Sequence, residues 1–195
     1  MNKLGLAGIV YKAKMCFFYA VNVARFKKLE FKSYIIKPLR IEGAEYMSIA
    51  QGVTVQTSAW LLAVKIDDHA PVLSIGEGSA IGDFNHITAV RHVNIGKHVL
   101  TANRVYITDN THSYEDIHTP VMQQAVKFIK EVSIGDGAWI GENVCILGAS
   151  VGKNSVIGAN SVVTQDIPDH CVAVGSPAKV IKRFNQATNQ WEMVK

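Results

Sequence analysis

Long apolar runs, paired cysteines and dense charge are all missing from this chain, and each absence removes a class of protein. The longest uncharged stretch near the N-terminus, Met15 to Ala24, has ten residues, about half of the roughly 20 that a bilayer span needs. Lys12 and Lys14 split that apolar region and no A-x-A site follows, so a secretory signal is not expected. The three cysteines, Cys16, Cys145 and Cys171, form no C-x-x-C pair and no even framework, which points to a reducing cytoplasm rather than an oxidising compartment. No RNA-recognition, zinc-finger or basic-helix pattern occurs, and nucleic acid is not an expected partner. Charged residues make up 18% and hydrophobic ones 48%, a balance that suits a globular domain and not a disordered tail. The net charge of +4 is mild and by itself selects no polyanionic ligand.

What is present is a period of six. Ile134, Ile140, Ile146, Val151, Ile157 and Val163 follow one another in steps of six, with a single step of five before Val151. A helix repeats its apolar residues at three and four, and a flat strand at two; six suits a short strand plus a tight turn, one side of a β-helix coil. Gly135, Gly141, Gly152 and Gly158 each follow a core aliphatic, and positive φ at the coil corner is the expected reason. The same pattern runs through Ile75, Ile81, Ile87, Ile95, Thr101 and Ile107. The next hexad, at Ile134, lies 27 residues beyond Ile107, not a multiple of six, so an excursion leaves the coil.

These landmarks divide the chain. Residues 1–40 read as a helical segment and lead-in, with the helix over 1–30 and Leu6, Val10, Ala13, Phe17, Val21 and Ala24 along one side. Lys3 and Leu4 belong to the same segment, and Phe18 and Tyr19 fall off its stripe. Such a helix either caps the first coil or a neighbouring subunit, or lies on the inner membrane surface. Residues 41–166 read as the β-helix, loosely repeated from Ile41 to Leu61 and interrupted by the excursion loop 113–131. Long loops within a compact repeat are usually functional. Residues 167–195 read as a cap: Pro168 and Pro177 stop the strands, and a last strand from Cys171 to Val174 leads to a short helix from Ala178.

Chemistry is sought where the hexad rule is broken. Asn85 and Arg91 occupy fifth places that are elsewhere small or aliphatic, and His112 stands beside the excursion in TDNTHSYED. A histidine at the lip of a repeat wall has the placement of a general base, since imidazole exchanges protons at physiological pH. His86, His92 and His98 are also spaced by six, which in a three-sided coil puts them on different walls and keeps them from one metal ion.

The block containing TDNTHSYED, GAWIG, IGANSVVTQDIP and GSPAKVIK resembles the hexapeptide-repeat acyltransferases, and within them the galactoside, maltose and O-antigen or capsule O-acetyltransferases. The resemblance covers roughly Ile75 to Arg183. It implies an all-β fold, a left-handed parallel β-helix, which is a rare exception to right-handed crossovers. It also implies a homotrimer with acetyl-CoA in the groove between neighbouring β-helices and no resident metal. Carried over residue by residue, His112 is the catalytic base and Asn85 an acceptor-binding residue. Trp139 lies beside the pantetheine arm, Ala159 and Thr164 touch the pantetheine and adenine ends, and Lys179 and Lys182 lie near the CoA phosphates. Gln165 stands where the family often has lysine.

The function so implied is acetyl transfer from acetyl-CoA to a sugar hydroxyl, in a surface-polysaccharide precursor that includes lipid-linked glycans, in the cytoplasm or at the inner membrane surface. A small free sugar, serine or an aminosugar would call on the same base and donor. The rival from another class is a metal-dependent hydratase of the γ-carbonic anhydrase type on the same scaffold.

Overall fold

The computed structural model describes residues 6–194 and shows a three-walled left-handed parallel β-helix. The first wall stacks Lys28–Leu29, Met47–Ile49, Val72–Ile75, His92–Ile95 and Val132–Ile134. The second contains Tyr34–Ile35, Thr54–Val55, Ala80–Ile81, Leu100–Thr101, Trp139–Ile140, Val156–Ile157 and Cys171–Val174. The third stacks Arg40–Glu42, Trp60–Ala63, His86–Ala89, Tyr106–Thr108, Cys145–Leu147 and Val162–Val163. Register is set by the aliphatic ladder: Ile49 pairs with Ile75, Ile75 with Ile95, and Ile95 with Ile134, all essentially inaccessible to solvent. A one-residue slip would turn each ladder outward, so the six-residue pattern itself holds the register.

The corner glycines have a different reason from the one expected. Gly76 and Gly141 do not adopt positive φ. A Cβ on Gly76 would come within 2.5 Å of the Gly96 carbonyl carbon, and one on Gly141 within 2.7 Å of the Ala159 nitrogen. The glycines are there because successive coils stack with backbone on backbone. Positive φ falls later in each turn, on residues such as Phe84, His98, Arg104, Asn143 and Asn160, where asparagine tolerates it best.

Three boundaries shift. The described helix, Leu6–Asn22, ends ahead of residue 30, and the first coil already begins at Lys28, ahead of Ile41. Lys3 and Leu4, together with the side chain of Leu6, lie outside the described residues. Within the helix, the expected stripe faces away from the coil: Val10, Phe17 and Val21 are exposed, while the off-stripe residues make the contact. Phe18 and Tyr11 pack on Tyr34, and Tyr19 packs on Phe31. The short C-terminal helix is replaced by an antiparallel hairpin of Lys179–Asn185 and Gln190–Met193, whose first strand pairs with Cys171–Val174. The edge of the second wall presents unpaired backbone groups, and a strand satisfies them where a helix cannot.

Candidate active site

His112 does not end a coil; it sits on an arm that leaves the third wall. Asn110–His112 pairs antiparallel with Val126–Phe128, so the excursion starts earlier than expected, as a two-stranded hairpin. Asp109 fixes its root. The fully buried Asp109 carboxylate accepts the backbone N–H groups of Val90, Arg91 and His92 at 2.8–3.2 Å, and the Asn110 side-chain amide at 3.1 Å. Arg91, the second breaker of the hexad rule, braces the arm from beneath. Its guanidinium pairs with Asp67 and lies 5.3 Å from the centre of the Phe128 ring.

The imidazole of His112 is exposed and borders a cleft of about 240 Å³. The wall of this cleft is a ladder of side chains from the third face. The rings of Trp60 and His86 stack at 4.1 Å with 4° between their planes, and Tyr106 follows at 5.0 Å. Leu62, Val64, Val90 and Val126 add apolar surface; Thr88 and Asn110 add the polar groups. Burial holds the His86 imidazole below its ordinary pKa, and its Nε2 lies 2.9 Å from the Thr88 hydroxyl. The Trp60 indole N–H is buried with no partner among the described residues. This ladder escaped the sequence reading. Its signal was present, because Trp60, His86 and Tyr106 each immediately precede a core residue of one wall, Leu61, Ile87 and Ile107. The lengths of the early coils were needed to align them.

The carboxylates near His112 in sequence are engaged elsewhere. Asp109 is held as described. Glu115 pairs with Lys127, which pulls its pKa down to about 2, and Asp116 accepts the His118 N–H and the Thr119 hydroxyl. Asn85, one residue before His86, is fully buried and donates its amide to the Ala102 carbonyl at 2.9 Å, beneath the cleft wall.

The remaining site residues lie around the corner. Trp139, half exposed beside Leu100, begins a row on the second wall that continues through Val156 and Val172 to Lys182. Lys179 pairs with Val174 at the same end. Ala159 is exposed at the turn between the second and third walls, and Thr164 is exposed where the third wall ends. The structure thus gathers Trp139, Lys179 and Lys182 on one wall, and His112 beside another. His86 lies on the third wall, His92 on the first and His98 at a corner between walls; no cluster of three or more metal-binding side chains occurs among the described residues.

Comparison with known proteins agrees with this architecture. The family described as "Hexapeptide repeat of succinyl-transferase" matches residues 131–165. The lipopolysaccharide biosynthesis O-acetyl transferase WbbJ of Escherichia coli, itself a putative assignment, is 36% identical over 128 residues, 62% of this chain and 65% of WbbJ. Galactoside O-acetyltransferase of E. coli is 33% identical over 151 residues, 76% of this chain and 72% of that protein. Among solved structures, the hexapeptide-repeat acetyltransferase VCA0836 of Vibrio cholerae superposes with a TM-score of 0.62 at 24% identity, over 88% of this chain and 82% of that one; it has also been solved with acetyl coenzyme A. The hexapeptide repeat, together with 33% identity to galactoside O-acetyltransferase over most of both chains, shows that the chain belongs to the hexapeptide-repeat acetyltransferase family.

Proposed function

We propose that this protein transfers an acetyl group from acetyl-CoA to a sugar hydroxyl, in a precursor of a surface polysaccharide. The observation that carries the reading is His112, exposed on a braced arm at the edge of a cleft lined by stacked rings. A sugar presents both apolar C–H faces and hydroxyls, and an aromatic and aliphatic wall with a few polar groups suits both. The relationship to WbbJ, named for lipopolysaccharide biosynthesis, favours a polysaccharide precursor over a small free sugar.

In the proposed reaction the His112 imidazole removes the proton of the acceptor hydroxyl as that oxygen attacks the thioester carbonyl. The C–S bond then breaks, and the CoA sulfur leaves with the proton carried by the imidazolium. The products are the O-acetyl sugar and free CoA thiol, with no acetyl-enzyme. On the donor side, Trp139 offers an exposed ring to the pantetheine, Ala159 and Thr164 continue its path, and Lys179 and Lys182 supply point charges for the phosphates. Trp139, Lys179 and Lys182 occupy a different wall from the cleft of His112, which supports a homotrimer in which one copy brings its second wall to the arm of the next. Asn85, buried behind the cleft, acts through the wall it supports.

His112→Ala should lower acetyl transfer by at least about 100-fold, the low end of what general-base removal costs. Acetyl-CoA affinity measured by calorimetry and the native mass should stay as in the parent protein. Transfer by the variant within a few-fold of the parent rate would refute the assignment.

A further inference from the structure

We propose that the helix Leu6–Asn22 and the adjoining turn dock this protein onto an anionic phospholipid surface, lying in the plane of the interface. The helix has two apolar faces. One is spent on the first coil, through Phe18 and Tyr19. The opposite face is open: Ile9 is 57% exposed, Phe17 72% and Val21 55%. At about 100° per residue, Ile9, Val10, Ala13, Phe17, Ala20 and Val21 share that outward sector, with Lys12 bordering it on one side and Lys14 on the other. Lysines in those places can lay their stems along an apolar boundary and keep their ammonium groups at the level of lipid phosphates. The apolar surface continues into a groove that joins Phe17 and Val21 to Tyr34 and Pro38, and the next residue of the turn, Leu39, is 70% exposed.

Charge selects the occupant. Residues 1–40 contain nine lysines and arginines against Glu30 alone, a net +8, in a chain whose total is +4, so residues 41–195 carry −4. A second copy docking through the same face would set one +8 segment against another. An anionic bilayer is complementary to it, and attracts each basic residue near its surface. None of the described helices is long and apolar enough to cross a membrane, which fits a helix that lies flat.

The test is sedimentation of the full-length protein with lipid vesicles. Binding to phosphatidylcholine vesicles containing about 30% phosphatidylglycerol should exceed binding to pure phosphatidylcholine by at least about tenfold, and should fall steeply between about 0.1 M and 0.5 M salt. Phe17→Glu/Val21→Glu should remove at least about 90% of the binding, with thermal stability, native mass and acetyl transfer to a soluble acceptor unchanged. No preference for the anionic vesicles, or undiminished binding by the double variant, would overturn the proposal. So would a change in native mass of that variant, which would make the face a contact between copies. Transfer to soluble acceptors is read separately, so docking can fail while the catalytic assignment stands.

Discussion

His86 shows how much a single side chain in this wall depends on its coil neighbours. Packed between Trp60 and Tyr106, its ring has its pKa held below the ordinary value by burial. An unfolded histidine titrates near about 6.5, and the folded one titrates lower. Between the two values the unfolded chain takes up a proton that the folded protein refuses. The stability tied to His86 is therefore complete above about pH 6.5 and is lost as the pH falls from there toward the folded-state value. Urea midpoints followed from about pH 7.5 down to pH 5 should decline in the parent protein, and His86→Gln should flatten that decline. The place of His112 was legible because it stands beside an interruption of the repeat, and the arm that carries it begins there. The ring ladder was not, because its members are 26 and 20 residues apart, and only paired strands bring them together.

At the level of elements, Asp109 anchors the root of the arm that bears His112, with Arg91 on Phe128 and Lys130 on Asp166 as further ties. Three backbone N–H groups converge on one buried carboxylate, and a buried donor left without an acceptor costs about 1–3 kcal/mol. Asp109→Ala should destabilise the fold by about 3 kcal/mol, and hydrogen exchange should quicken first at Val90, Arg91 and His92 and along Asn110–His112. Protection unchanged at those amides would show that the arm is anchored elsewhere. The six-residue period made the solenoid readable from the sequence because every coil repeats one packing problem. Its two ends solve other problems. The run AKVIKRF carries residues compatible with a helix, and the open strand Cys171–Val174 decides in favour of a hairpin. At the other end, the alternative stripe of the first helix was hidden because both sides of that helix are apolar, and only contact with Tyr34 and Phe31 tells which side is inside.

For the whole molecule, the proposed function divides the site between the second wall and the cleft of His112, and so requires assembly for activity. Light scattering should give a mass close to three times the 21.3 kDa of the chain, and the activity of a diluted sample should disappear in step with that mass. A fully active monomer would contradict the division of the site between copies. The excursion also bears on the history of the molecule. Val93 pairs with Val132 and Thr108 with Leu147, so beyond the Asp109 anchor the ladder closes on both sides of residues 110–131 as though they were absent. The loop can lengthen, shorten or change composition without disturbing the stacked core. Under the proposed function, the part of the cleft that this cassette supplies, through Asn110, His112 and Val126, can therefore change along its own track while the stacked scaffold is inherited untouched.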